Sequence, residues 1–172
     1  NFSKLSGLRL ALLANQGSVD SNYQHIATLM HNSKNCNLVK LFAPEHGFRG
    51  AAQDMVSVDN EIDAETGLTI YSLYGSEEHS LTPDQSLFQD IDGIVIDLQD
   101  IGTRYYTFAQ SLGYIMNVAS KTKVKVFVID RPNPINGLTI AGSPLIDSCK
   151  SFCGYAPIPN RHGLTMGELA LL

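Results

Sequence analysis

Cysteine is scarce, and its placement is uninformative for metal binding. The chain has three, Cys36, Cys149 and Cys153, an odd number with no Cys-x-x-Cys pair, which argues against zinc held by thiolates. Free or buried thiols are the expectation, although Cys149 and Cys153 are near enough in sequence to bridge in an oxidising compartment. No run of Lys or Arg occurs and the formal net charge is −5, so the chain lacks the basic face that nucleic-acid phosphates demand. No apolar run reaches the roughly 20 residues that a membrane-spanning helix needs. No signal peptide opens the chain, but its abrupt start at Asn1 is that of a trimmed sequence and leaves the compartment open. Neither a Gly-x-Gly-x-x-Gly turn nor a Walker lysine follows any apolar run. The first run ends in Asn15-Gln16-Gly17, with one glycine for backbone approach to a phosphate, so no nucleotide cofactor is expected.

What is present is an ordinary globular content, 44% apolar in 172 residues. That length suits one domain and is enough to bury most of the surface exposed by the unfolded chain. Compact apolar runs at 8–14 and 38–43 bracket a helical pattern at 23–32, with Ile26, Leu29 and Met30 on one face. Residues 93–97 and 124–130 are β-branched runs ending in Asp97 and Asp130. Between them, 107–120 carries Phe108, Leu112, Ile115, Met116 and Ala119 at three-to-four spacing. Two such strand–helix–strand units predict an α/β fold, a Rossmann-like, mostly parallel sheet with helices on both faces. The connection 50–80, with a short strand at 68–73, is too long for bare loop and is expected to fold over the cleft. Thr165-Met-Gly-Glu168 reads as a capping box opening a helix that runs to Leu172. A chain that stops inside a helix is expected to continue, so 1–172 reads as one Rossmann-like domain truncated before a C-terminal domain.

The chemistry-bearing residues lie in loops that leave strands. Ala43-Pro-Glu-His-Gly-Phe-Arg-Gly50 puts a carboxylate, an imidazole and a guanidinium directly after an apolar run, where ligands of open parallel sheets bind. Four further loops are Asn15-Gln16-Gly17, Asp97-Leu-Gln-Asp-Ile-Gly-Thr-Arg-Tyr-Tyr106, Asp130-Arg-Pro-Asn-Pro134 and Pro157-Ile-Pro-Asn-Arg-His-Gly163. Short polar side chains fixed by Gly and Pro, rather than scattered Lys, Glu and Ser, read as one cleft. Of five arginines, Arg49, Arg104, Arg131 and Arg161 lie in these loops, and no lysine does. A guanidinium grips a carboxylate with two prongs, so the pattern points to an anionic ligand, at Arg49 and Arg161 above all. Pairing of Arg104 or Arg131 with Asp100 or Asp130 is the competing, bracing use. Convergence of His46, His162, Asp97 and Asp100 on a metal is another, but no two stand at a spacing that forces a shared site, and no metal is expected. His25, His31 and His79 read as surface residues.

At these residues the chain resembles the NamZ-type exo-β-N-acetylmuramidases, long catalogued as a bacterial domain of unknown function. The likeness is carried by APEHGFRG at 43–50, YSLYG at 71–75, DLQDIGTRYYTF at 97–108, DRPNPINGL at 130–138, and Ser151-Phe-Cys-Gly154 followed by PIPNRHGLTMGELA at 157–170. Five motifs in the same order span most of the chain. The resemblance implies a glycoside hydrolase that releases β-linked N-acetylmuramic acid from the non-reducing end of peptidoglycan fragments. It also implies cell-wall turnover or recycling, a bacterial setting outside the cytoplasm (periplasmic or secreted), and a Rossmann-like domain joined to a C-terminal one. Departures from the usual pattern at Ala14, Gly17, Ser18, Thr103 and Cys153 remove no ionisable candidate.

Glycoside hydrolysis needs a proton donor for the leaving oxygen and a group that stabilises or captures the oxocarbenium-like sugar. Glu45 is the expected donor, because a carboxyl beside Pro44 and Phe48, partly removed from water, has its neutral form favoured. His46 orients it or donates to substrate, unless it merely satisfies a loop carbonyl. Asp97 and Asp100 are both open to the second role. Asp97 equally suits capping of a helix starting near Thr103, whereas Asp100, between Gln99 and Gly102, is freer to face a ligand. Should the substrate acetamide itself attack the anomeric carbon, a carboxylate or tyrosine need only hold it, with Tyr74 and Tyr105 as binding candidates and Tyr106 available. Asn15, Gln99, Asn133 and His162 complete the polar lining around a muramyl substrate. A non-catalytic muropeptide-binding domain and a metal-dependent hydrolase or transferase stay open as other classes, and nothing in the pattern assigns an oligomeric state.

Overall fold

In the computed structural model the described residues are 2–45, 47–49, 61–73, 82–151, 153–154 and 156–172. They form, in chain order, β1 (Arg9–Ala14), α1 (Ile26–His31), β2 (Asn37–Ala43), β3 (Glu61–Ile62), β4 (Thr69–Ser72), β5 (Gly93–Asp97), α2 (Phe108–Ala119), β6 (Lys125–Val128) and α3 (Met166–Leu169). The strands make one sheet in the order β3-β4-β2-β1-β5-β6. All neighbours are parallel except β3 and β4. This is the α/β sheet that the two strand–helix–strand units anticipate.

Alternation along β1 explains why both faces are covered. Leu10, Leu12 and Ala14 pack with Ile26, Ala27 and Met30 of α1 and with Leu38 and Leu41 of β2. Ala11 and Leu13 point to the opposite layer, with Phe108, Leu112 and Ile115 of α2 and Met166 of α3. A strand with no solvent face reads as an unbroken apolar run, which is what β1 and β5 show. From β1 the chain runs outward to β2 and β4, then returns to β5 and β6 on the other side, so the strand order reverses at β1. Ligands of such sheets bind at that reversal, beyond the carboxyl ends of the strands. Asn15, Pro44-Glu45 and Leu98–Asp100 leave β1, β2 and β5 at that end.

Each helix start bears on the site. The pattern at 23–32 overestimates α1, because Tyr23 has φ +60° and is 87% exposed, and His25 caps the helix instead. Thr107 is the N-cap of α2, yet its side chain caps no helix amide. At α3 the capping box is present, Thr165 accepting from the Glu168 amide and Glu168 from the Thr165 amide, but the helix closes at Ala170 rather than running on to Leu172. Asp130 anchors that helix, accepting from Thr165 Oγ1 at 2.9 Å and from the Gly167 amide at 2.7 Å. A Cβ at position 167 would stand 2.8 Å from the Asp130 carboxyl carbon, which is why glycine serves there. The described part of the connection 50–80 supplies β4 and the two-residue β3, which extend the sheet beyond β2. The rest of that connection, and with it the expectation that it covers the cleft, lies outside the described residues.

Candidate active site

Glu45 is the first residue of the site because of where β2 ends. Two residues beyond that strand, its Oε2 accepts a 2.5 Å hydrogen bond from the hydroxyl of Thr107. An N-cap threonine ordinarily spends its oxygen on its own helix. Here the hydroxyl crosses 62 residues to fix the carboxyl at the mouth of the sheet. Gly47, at φ +83° and with its amide on Pro44 O at 3.1 Å, turns the chain back so that Phe48 is buried and Arg49 reaches the 61–66 segment. His46 lies outside the described residues, as do Tyr74 and His79.

The second carboxylate is Asp100. It is 4% exposed, and its Oδ2 accepts from the Gly102 amide at 2.8 Å and stands 3.3 Å from His162 Nε2. His162 Nδ1 accepts from the Leu164 amide at 3.1 Å. In the neutral ring the proton therefore sits on Nε2, the nitrogen nearer Asp100. That close pair is not aligned as a hydrogen bond, which leaves His162 Nε2 buried without a partner, and the other carboxyl oxygen, Asp100 Oδ1, is likewise unpaired. Thr103 Oγ1 and Arg161 Nε share that condition, and residues 103 and 161 face each other across a β-bridge. Among the described residues, every buried side-chain polar atom without a partner belongs to these two adjoining segments. Such atoms cost about 1–3 kcal/mol each unless a water, an ion or a ligand satisfies them.

Tyr106 feels the charge of both carboxylates. Its phenol is pushed up from the ordinary tyrosine value, by burial first and then by the negative charges of Asp100 and Glu45. It thus keeps its proton, with its ring edge-on to Phe108 at 4.6 Å. Tyr105, ranked above it from sequence, is 62% exposed. The distinction was readable only in part: Tyr106 is adjacent to Thr107 at the helix start, whereas Tyr105 points away from the packed layer.

The arginines divide differently from the sequence expectation. Arg131 does brace, but on Asp97 rather than on Asp100 or Asp130, through a fork of 2.6 and 2.8 Å that raises the guanidinium pKa. Asp97, fully buried, gives both carboxyl oxygens to that fork rather than to a helix cap. Among the described residues Arg104 pairs with no carboxylate and instead donates to the carbonyls of Ser143 at 3.0 Å and Ile158 at 2.5 Å. Arg49, expected to meet an anionic ligand, is held by Asp63 at 2.7 and 3.1 Å and by Glu65 at 3.1 Å. Hydrogen bonding to Asp63 drives its pKa up, and burial of Asp63 is outweighed so that its carboxyl falls below the usual range. Arg161 donates through Nη2 to Ile135 O and leaves Nε unmatched.

The remaining polar residues support the loops. Asn15 Oδ1 accepts from the Gly17 amide at 3.0 Å and from Ser18 Oγ at 3.1 Å, and Ser18 Oγ also donates to Asp97 O. Gln99 donates to Asp100 O at 2.8 Å and lies against Gly17. Asn133 donates to Leu164 O at 3.4 Å and packs so closely on Gly102, at φ +85°, that a Cβ there would stand 2.3 Å from its amide. His25 is a correction: it is 8% exposed, not a surface residue. Its Nδ1 accepts from the Ala27 amide at 3.2 Å, its Nε2 bonds Asn15 O at 3.0 Å, and its ring lies 5.0 Å from that of Phe48. Among the described residues no three His, Cys, Asp or Glu side chains gather as a cation cage would require. Cys36, Cys149 and Cys153 are free thiols.

A family model described as exo-beta-N-acetylmuramidase NamZ, N-terminal, matches residues 10–172. The peptidoglycan beta-N-acetylmuramidase NamZ of Bacillus subtilis (strain 168) is 38% identical over 169 residues, 98% of this chain and 40% of that protein. Crystal structures of two DUF1343 family proteins from Bacteroides fragilis NCTC 9343 superpose with TM-scores of 0.89 and 0.81 at 40% and 36% identity. They cover 99% and 98% of this chain and 42% of each of theirs. The chain thus spans about two fifths of the length of the relatives it matches. With the motif loops gathered at one end of a parallel sheet, and the family model matched from β1 to the last residue, the chain belongs to the family of N-terminal domains of NamZ exo-beta-N-acetylmuramidases.

Proposed function

We propose that the site serves a glycoside hydrolase releasing β-linked N-acetylmuramic acid from the non-reducing end of peptidoglycan fragments. One observation carries the reading. Glu45, fixed at 2.5 Å by the hydroxyl of Thr107, and Asp100, on the loop that runs from β5 to that same threonine, stand beyond the carboxyl ends of the strands, and both charges bear on the half-buried phenol of Tyr106. Glycosidases need such a pair. Glu45, oriented by the Thr107 hydroxyl, gives its proton to the leaving oxygen. Asp100, seated by the Gly102 amide, stabilises the oxocarbenium-like sugar or holds its acetamide, with Tyr106 donating. Arg161, through the Nε left without a partner, reads the lactyl carboxylate that separates muramic acid from glucosamine. The work belongs to turnover or recycling of bacterial cell wall outside the cytoplasm, where such fragments arise; the name of the B. subtilis relative supports the substrate class.

The test is incubation of the full natural chain with the disaccharide N-acetylmuramyl-β-N-acetylglucosamine and with its glucosaminyl counterpart. The expected result is release of N-acetylmuramic acid from the first and little from the second. Binding of the disaccharide without cleavage would replace the enzyme by a muropeptide-binding domain.

A further inference from the structure

His25 lies outside the acid pair, yet three elements of the site meet on its ring. Nδ1 accepts from the Ala27 amide and so caps α1, which leaves the proton on Nε2, directed at the carbonyl of Asn15 at 3.0 Å. Asn15 follows β1 and closes the turn through Gly17 and Ser18, and the Ser18 carbonyl in turn accepts from the Ile26 amide at 2.9 Å. The face of the ring meets Phe48, three residues after Glu45, at 5.0 Å and 55°. Phe48 is 3% exposed, and the next residue, Arg49, is pinned by Asp63 and Glu65. The loop bearing Glu45 is therefore held at its near end by β2 and at its far end by an aromatic contact with this imidazole.

Resting on the function proposed above, we infer that His25 is a positioning residue of the reaction, joining the turn after β1 to the Phe48 end of the loop that presents Glu45. Only the neutral ring with its proton on Nε2 makes both hydrogen bonds. A proton on Nδ1 would expel the Ala27 amide, and burial, the first cause, holds the ring below its ordinary pKa. The charged groups that face it are Arg49, which opposes protonation, and Asp63 and Glu65, which favour it. A cap alone would be served as well by Asn, Asp or Ser. Imidazole adds a second, oppositely directed hydrogen bond and an aromatic face.

The test uses the full natural chain with His25→Asn, Phe48→Leu and the pair together. Asn keeps an acceptor for the Ala27 amide and removes the ring. The expected result is kcat lowered about tenfold in each single variant, KM within about twofold, and a double variant no worse than either, as for residues acting through one contact. Separately, 15N imidazole spectra of the wild type should show His25 as the Nε2–H tautomer at pH 7, with its signals displaced by Phe48→Leu. Wild-type kcat in His25→Asn, additive losses in the double variant, or an Nδ1–H tautomer would each overturn the inference. A wild type inert on the disaccharide would instead contradict the hydrolase reading and, with it, a positioning role in that reaction.

Discussion

Thr107 gives its hydroxyl to Glu45 and none to its own helix, so its contribution to chemistry separates from its contribution to the fold. Thr107→Val should lower kcat by about ten- to a hundredfold, the equivalent of losing one charge-assisted hydrogen bond of roughly 1.5–3 kcal/mol. Stability should change by less than about 1 kcal/mol, since no cap bond is removed. Steady-state kinetics beside urea unfolding reads both, and a large stability loss with unchanged kcat would make the hydroxyl structural. Arginine offers a second contrast. Arg49 spends its whole fork on Asp63 and Glu65, whereas Arg161 keeps Nε unmatched. Arg49→Ala should therefore slow a muraminide and a glucosaminide by similar factors. Arg161→Ala should cost about ten- to a hundredfold on the muraminide alone, because the other sugar has no carboxylate to lose. Equal losses for Arg161 would remove it from the ligand's contacts.

At the scale of elements, periodicity and turn chemistry registered what is local. Alternation and apolar runs gave β1, β2, β5 and α2 to within one or two residues, and Thr165-x-x-Glu168 gave the start of α3. β3 left no trace, because two exposed residues paired at a sheet edge carry no burial pattern. Residue pairings over long separations were equally silent. Thr107 with Glu45 and Arg131 with Asp97 are set by which strands lie side by side, so the motif loops could be placed at strand ends while the partner of each charge could not. His25 was misjudged because its neighbours Tyr23 and Gln24 are exposed, and a capping role for histidine lies outside the usual Ser, Thr, Asp and Asn signal.

That same histidine makes the β1–α1 junction sensitive to acid. Its folded pKa lies below the ordinary 6.5, so below that pH the unfolded chain binds more protons than the folded one. The stability given by the neutral ring is whole above 6.5 and is lost as pH falls from there toward the folded value. Asp63 has the usual carboxylate sign: its folded pKa lies below 3.8, so its stabilisation is whole above 3.8 and is lost as pH falls through the folded value. Urea unfolding against pH should thus show two separate declines. His25→Asn should erase the upper one and spare the lower, and an unchanged upper decline would assign it to another group.

Across the whole molecule, the sheet concentrates chemistry at one end. Central strands covered on both faces supply a rigid base, and the loops leaving β1, β2 and β5 carry Asn15, Glu45 and Asp100 into the crevice where the strand order reverses. Elsewhere, an apolar groove between α2 and the segment near Ile158 is lined by Leu112, Met116, Ile158 and Leu169 and, among the described residues, by no Asp or Glu. The proposed binding and proton transfer and the observed bracing thus fall on distinct side chains, the buried Asp97 being held by the partly exposed Arg131.

Turnover of Glu45→Gln on unactivated N-acetylmuramyl-β-N-acetylglucosamine, with the fold checked by circular dichroism, is the most direct test of this division. Glutamine keeps the shape and the acceptor for Thr107 but cannot deliver a proton. The expected result is a rate lower by about two to four orders of magnitude with an unchanged spectrum. Near-normal turnover by the folded variant would contradict the assignment of Glu45 as the acid and dissolve the carboxylate pair on which the proposed reaction rests.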